Sequence, residues 1–200
     1  MPFSWETAGV DEVGRGCLFG PVVAAAVIIP KSSTRNLREA GVTDSKKLSS
    51  KRRELLYDVI ISQTDSHVGW SSAREIDRIN ILQASLLAMK RAIARLEIKP
   101  KLCLIDGNRE IPSLDLPQRT VIKGDQHELA IAAASIVAKV WRDRLIIRLS
   151  EKYPGYDLAS NKGYGTKRHR NGIAKLGVTP HHRLSFSPCQ KQLLSDTQKK

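Results

Sequence analysis

Residues 8–21 place two adjacent acids, Asp11 and Glu12, at the end of a short apolar run, and a glycine-flanked arginine, Gly14-Arg15-Gly16, follows at once. A chain with a formal net charge of +13 has no need of acids there for solubility. Carboxylates at the end of a buried strand cost free energy unless a metal or another cation compensates them. The segment therefore reads as a metal-dependent site beside a backbone-lined anion surface. Asp106 ends another apolar run, Lys101–Asp106, just before Gly107, and Asp125 stands at the start of a long helical pattern. Ligand sites in open α/β sheets lie beyond the carboxyl ends of strands, so Asp11 and Asp106 converge if their strands are neighbours. Oxygen-only ligands suit Mg²⁺ or Mn²⁺. Two such ions roughly 3.5–4 Å apart can clamp the attacking and leaving oxygens of a phosphodiester.

Each acid also has a structural reading. Asp106-Gly107-Asn108 can be a turn. Asp125 can be the N-cap of a capping box closed by Glu128. Asp11 and Glu12 are neighbours, and neighbouring strand residues face opposite sides. Both reach one site only if the strand ends or bulges there, for which Gly14 provides the freedom.

The elements that must position these residues follow from hydropathy. Residues 5–12 read as a first strand. Pro21 to Pro30 encloses a continuous apolar run, the pattern of a strand buried on both faces. Residues 31–50 are polar and loop-like. Lys51 to Ser62 carries Leu55, Leu56, Val59 and Ile60 at helical spacing, and His67 to Ala73 fits a third strand. Asn80 to Leu96 is amphipathic, with Ile81, Leu82, Ser85, Leu86, Met89, Ile93 and Leu96 on one stripe. Lys101 to Asp106 and Arg119 to Lys123 complete five strands. Gln126 to about Lys152 is a long helix, and a loop from Tyr153 to Thr166 precedes a short basic helix over Lys167 to Leu176. The last dozen residues are polar and are expected to fray. Strands first, then helix–strand alternation, give an α/β domain with a mixed sheet. The expected organisation is a core over 1–152 and a helical segment over 153–200 packed on it as one domain.

Lys+Arg 33 against Asp+Glu 20 points to a polyanionic partner, and nucleic acid fits better than a membrane surface. From Lys139 to Arg183 there are eleven Lys/Arg and three acids, which read either as a duplex-binding face or as a solvated helix face. Asp143 with Lys139 one turn earlier reads as a structural ion pair. Cys17, Cys103 and Cys189 are far apart and form no C-x-x-C pair, which argues for a reducing compartment. No signal peptide is evident, and the longest apolar stretch, Val22 to Ile29, is too short to span a bilayer. The expected location is the cytoplasm.

These residues together resemble the bacterial ribonuclease HII family, the type 2 ribonucleases H. Asp11-Glu12-Val13-Gly14-Arg15-Gly16 with Gly20-Pro21-Val22 is similar to that family's N-terminal signature. Thr43-Asp44-Ser45-Lys46-Lys47-Leu48, Ile105-Asp106-Gly107 and Lys123-Gly124-Asp125 resemble its later motifs, as does the helix from Ile131 to Asp143. Lys162-Gly163-Tyr164-Gly165-Thr166, His169 and His182-Arg183-Leu184-Ser185-Phe186 extend the resemblance to residue 186.

The resemblance implies a ribonuclease H-like fold. It also implies hydrolysis of the RNA strand of RNA–DNA hybrids and nicking 5′ to single ribonucleotides in duplex DNA, with 3′-OH and 5′-phosphate ends, a step of ribonucleotide excision repair. It makes Asp11, Glu12, Asp106 and Asp125 the carboxylates that hold two Mn²⁺ or Mg²⁺ ions. It assigns substrate contacts to Gly14, Arg15 and Gly16, whose main chain would sense the 2′-hydroxyl. It gives phosphate contacts to Ser45 and Lys46, and stacking on the deoxyribose 3′ of the ribonucleotide to Tyr164. The partners implied are RNA–DNA hybrid and ribonucleotide-containing duplex, with the protein a monomer. Read locally, Gly14-Arg15-Gly16 can be only a turn, Tyr164 an ordinary loop residue, and Asp44 an N-cap. One departure stands out. Cys17 occupies a position where the family has proline, and without proline's fixed φ a looser turn is expected there, with activity retained. Phe19 also replaces a smaller residue.

Overall fold

The computed structural model describes residues 6–190. Five strands form one sheet in the order β3-β2-β1-β4-β5: β1 Thr7–Val13, β2 Val22–Ile28, β3 Asp65–Ser71, β4 Leu102–Asp106 and β5 Gln118–Val121. β1 and β2 are antiparallel, whereas β1 with β4 and β4 with β5 are parallel. The sheet is mixed, as the alternation of elements predicts. All seven residues of β2 are buried, the state its unbroken apolar run requires.

The helices are α1 Lys31–Glu39, α2 Ser50–Gln63, α3 Ala73–Ile93, α4 Gly124–His127, α5 Leu129–Lys152, α6 Leu158–Asn161 and α7 Lys167–Leu176. Four differ from the sequence expectations. α6 is a single short turn of helix inside the span from Tyr153 to Thr166 expected to be a loop. Residues 31–39 form α1 rather than a loop; its only buried residue is Leu37, so there is no apolar stripe to read. α3 is two helical pieces joined at Asn80, whose backbone leaves the helix (φ 64°, ψ 167°) and whose Oδ1 accepts the Gln83 N–H at 3.1 Å. Asn80 is thus the N-cap of the amphipathic half, and the helix before it comes in addition. The long C-terminal helix is broken at Glu128 into α4 and α5, with Lys123, in the left-handed region, at the N-cap of α4. Asp125 lies inside the first turn of α4 and is not the capping residue.

The chain forms two compact units. The first comprises the residues up to Val13, Val23–Trp70 and Ser85–Val140, and holds the sheet. The second is built from Gly14–Val22, Ser71–Ala84 and the residues from Trp141 onward. Its core is Leu18, Phe19, Ile146, Tyr156, Leu158, Ile173 and Cys189. Within the first unit, α5 approaches the sheet closely over Gly9, where a Cβ would overlap the main chain of Ala130 and Ile131. Among the described residues no helix is long and apolar enough to cross a membrane. The expected fraying of the C-terminus concerns residues that lie mostly outside the described ones.

Candidate active site

The parallel register of β1 and β4 brings the first two acids together. Val10 pairs with Ile105, so Asp11 and Asp106 are the next residues along neighbouring strands. β1 neither ends nor bulges at the acids: Asp11 pairs with Ala25, Glu12 with Ala24 and Val13 with Val23. Alternation therefore separates the two side chains, with Asp11 buried and Glu12 only half-buried. Asp11 lies on the Gly9 face, under α5, where the Ser135 hydroxyl donates to its carboxylate. The N–H of Glu12 also donates to Asp11 Oδ1 at 2.7 Å.

Asp106 is gripped from the far side of β4. Lys123, at φ 56°, turns the chain so that the Gly124 N–H donates to Asp106 Oδ1 at 2.7 Å. A Cβ at Gly124 would overlap Ile131 and press on that carboxylate, so glycine permits the approach. The same turn delivers Asp125, which is 96% buried. Gly107, at φ 98°, does turn the chain after Asp106, so the turn reading and the cluster coexist.

Burial, then the charges of Glu12 and Asp106, hold the Asp11 carboxyl well above the usual range, against hydrogen bonds from Glu12 and Ser135. Burial and the Asp125 charge raise Asp106 too, opposed by the Gly124 N–H and by Lys46. Lys46 Nζ stands 3.4 Å from Asp125 Oδ2. Partial burial works to lower the Lys46 ammonium, but Asp125 and Asp11 outweigh it and hold it above its ordinary value. Ser45 is buried, and its hydroxyl lies 2.6 Å from that of Ser135. Asp44 caps the 3₁₀ turn over Ser45–Lys47 by accepting the Lys46 N–H at 2.9 Å, and the N-cap of α2 is Ser49.

Among the described residues, no group of three or more His, Cys, Asp and Glu side chains is already arranged around a point that would hold a metal ion. The donor set nonetheless fits a hard divalent cation: it is all oxygen, largely buried, and mutually repulsive until a cation neutralises it.

In the second unit, Gly14 is buried while Arg15 and Gly16 are exposed. Gly14 takes φ 88°, and a Cβ there would overlap the Arg142 guanidinium; at Gly16 a Cβ meets nothing within 4 Å. The loop hangs on two arginines with no exposed surface. Arg183 donates to the carbonyls of Gly14 (2.7 Å), Arg15 (2.7 Å) and Gly20 (3.1 Å). Arg142 donates to Pro21 (3.0 Å), Lys162 (2.8 Å) and Phe19 (2.9 Å). Charge counting places both among the bases of a duplex-binding or solvated face. They are buried instead, with main-chain carbonyls replacing their hydration. Helical periodicity was the available signal for one of them: Arg142 falls four residues after buried Ala138 and four before buried Ile146.

Tyr164 is 40% exposed. Its main chain forms an antiparallel bridge with Cys17, and its hydroxyl hydrogen-bonds the Cys17 thiol. Burial, then the neighbouring Cys17, push the phenol above its ordinary range. Cys17 is fully buried and its Sγ lies 3.8 Å from the Lys162 carbonyl, so bridge and thiol fix this turn where proline was expected to do so.

A sheet of this order, with acids at the ends of its central parallel strands, defines the ribonuclease H-like class. The structure of ribonuclease H2 from Pyrococcus horikoshii superposes with a TM-score of 0.81 at 29% identity, over 97% of this chain and 99% of that one. Bst-RNase HIII in complex with Mn²⁺ shares the fold at a TM-score of 0.80 and 20% identity, over 96% of this chain and 70% of that one. The ribonuclease HII of Trichodesmium erythraeum is 64% identical over 192 residues, 96% of this chain and 91% of that protein. The family model for ribonuclease HII matches residues 8–189, and the chain belongs to that family. It is therefore a metal-dependent endoribonuclease acting on RNA–DNA hybrids.

Proposed function

We propose that the chain nicks duplex DNA on the 5′ side of a single embedded ribonucleotide, besides cutting the RNA strand of hybrids, and leaves 3′-OH and 5′-phosphate ends. The supporting observation is the register that sets Asp11 beside Asp106, with Asp125 delivered by the turn at Gly124. Asp11, Glu12, Asp106 and Asp125 hold two divalent ions, Mg²⁺ or Mn²⁺, whose chemistry is to lower the pKa of water and stabilise the departing 3′-oxygen. Ser135 and the Glu12 N–H orient the Asp11 carboxylate. Glu12 leaves the strand on its other face, and its charge, which acts on Asp11 ahead of that of Asp106, is what brings it into the same ion set. Lys46, exposed at its tip, neutralises Asp125 and reaches for substrate phosphate, while buried Ser45 anchors the loop that carries it.

Gly14, Arg15 and Gly16 read the sugar. The carbonyls of Gly14 and Arg15 are drawn inward by Arg183, and the open space at Gly16 admits a ribose to the main chain. The exposed ring of Tyr164 packs on the following deoxyribose. Surface Lys and Arg bind the phosphate backbones without reading sequence. The protein works as a monomer in the cytoplasm, in the removal of ribonucleotides from DNA. Duplex DNA containing one ribonucleotide, offered with Mg²⁺ or Mn²⁺, tests this reading. A cut 5′ of the ribonucleotide is the expected result; cleavage of all-DNA duplex instead overturns it.

A further inference from the structure

Tyr164 sits between two glycines. Gly163 holds φ 86°, and neither neighbour has a Cβ to restrict the chain. Such a segment loses much conformational entropy when it is fixed, so a tyrosine that must present its ring in one orientation needs restraint from outside.

The Cys17 bridge and thiol supply part of that restraint, and a row of two buried imidazoles supplies the rest from the carbonyl side. His169 has no exposed surface and His182 is 1% exposed. His169 Nδ1 lies 2.9 Å from the Tyr164 carbonyl, and the two Nε2 atoms lie 3.2 Å apart. His182 Nδ1 is 2.9 Å from the Thr179 N–H and 3.0 Å from its hydroxyl. The ends of the row fix its proton order. A carbonyl only accepts, so His169 Nδ1 carries a proton; a main-chain N–H only donates, so His182 Nδ1 carries none. With both rings neutral, His182 Nε2–H donates to bare His169 Nε2. All hydrogen bonds in the row then run one way, from Thr179 to the Tyr164 carbonyl. The same carbonyl accepts the Thr166 N–H at 2.8 Å, so the peptide plane after Tyr164 is held from two directions. Phe19 and Tyr156 pack on His182 at centroid distances of 5.1 and 5.0 Å and keep water out.

We infer that His169 and His182 are positioning residues for Tyr164: their directed hydrogen-bond relay fixes the orientation in which the ring meets the sugar beside the ribonucleotide. The inference rests on the proposed role of Tyr164 and adds the device that enforces it.

The test uses the full chain and two substrates, duplex DNA with one ribonucleotide and an uninterrupted RNA–DNA hybrid; the ratio of their cleavage rates is the junction preference. In His169→Asn the amide nitrogen takes the place of Nδ1 and still donates to Tyr164. In His169→Gln the amide group takes the place of Nε2, so the bond to His182 survives and the bond to Tyr164 is lost. Roughly a tenfold loss of junction preference, about 1.4 kcal/mol, is expected for Gln, with a smaller loss for Asn, which keeps the bond to Tyr164 but gives up the one to His182. Equal behaviour of the two variants overturns the relay. Tyr164→Ala separates the two levels. If it lowers junction preference and His169→Gln does not, the relay fails while the role of Tyr164 stands. If Tyr164→Ala changes nothing, the role of Tyr164 fails and the inference with it. Should either His169 variant fail to fold, imidazole ¹⁵N shifts of the wild type decide: protons on His169 Nδ1 and His182 Nε2 support the relay, and the opposite tautomers overturn it.

Discussion

The hydroxyls of Ser45 and Ser135 lie 2.6 Å apart, both buried, and join the loop carrying Lys46 to the helix that lies over Asp11. Ser135 also donates to Asp11. One hydrogen-bonded path thus runs from the 3₁₀ turn at Ser45–Lys47 to the first acid of the cluster, and Lys46 Nζ returns to Asp125 from the same turn. The Asp44-Ser45-Lys46 segment is part of the architecture that orients the carboxylates.

Asp11 is a buried acid raised by burial, by Glu12 and by Asp106. A carboxyl raised in the folded state opposes folding at neutral pH, and the protein gains stability as pH falls and the group takes up its proton. Asp11→Asn is therefore expected to raise the melting temperature in chelator while lowering cleavage at least ~1000-fold, about 4 kcal/mol. Calorimetry with and without Mg²⁺ checks both sides: wild type gains stability from the ion, and the variant gains much less.

The two glycines of the Gly14-Arg15-Gly16 loop should respond differently. Gly14→Ala forces a left-handed backbone and a clash with Arg142, so it should unfold at a lower temperature. Gly16→Ala meets no protein atom within 4 Å, so its stability should stay within about 0.5 kcal/mol of wild type. Cleavage at an embedded ribonucleotide should nevertheless fall at least ~10-fold. Full activity of Gly16→Ala would remove the main chain there from sugar recognition.

Replacing Arg183 by Leu removes the guanidinium donors from the buried carbonyls of Gly14 and Gly20 and from the partly buried carbonyl of Arg15. A loss of about 3–5 kcal/mol is expected from urea unfolding. Replacing exposed Arg168 should change stability by less than about 0.5 kcal/mol.

Arg142 and Arg183 mark the limit of the sequence. Asp11, Asp106 and Asp125 could be picked out because acids at strand and helix ends in a basic chain are costly without a cation. β2 was legible because a strand buried on both faces has no polar residue to spare. Helical spacing marks Arg142 as buried, but the carbonyls that hold Arg142 and Arg183 are distant in the chain, at Lys162 and Gly14, and no local pattern reports such partners. α1 escaped because one buried leucine makes no period, and the break at Glu128 because its cause is the turn at Lys123 and Gly124 toward Asp106. Asp125 looked like a cap for the same reason: a helix start is where a cap and a site acid coincide.

Burial, with His169 and His181 adding to it, lowers His182 to about 4 from an ordinary 6.5. Between those values the unfolded chain binds more protons than the folded one, so stability falls as pH drops from 6.5 toward 4 and is complete above that window. The loss is on the order of 3 kcal/mol for this one group, and His169, lowered mainly by burial, contributes in the same direction. Urea midpoints measured across this range should show the slope, and His182→Gln should flatten it.

In the proposed function the carboxylates cut and the Gly14-Arg15-Gly16 loop selects the ribonucleotide. The most direct measurement is mass spectrometry of both products from a DNA duplex carrying one ribonucleotide, cut by wild type with Mg²⁺ or Mn²⁺ and compared with Asp11→Asn. The expected result is a single cut 5′ of the ribonucleotide, a 3′-OH upstream, a 5′-phosphate on the ribonucleotide, and no product from Asp11→Asn. A cut at another position, a 2′,3′-cyclic phosphate end, or undiminished cleavage by Asp11→Asn would contradict it.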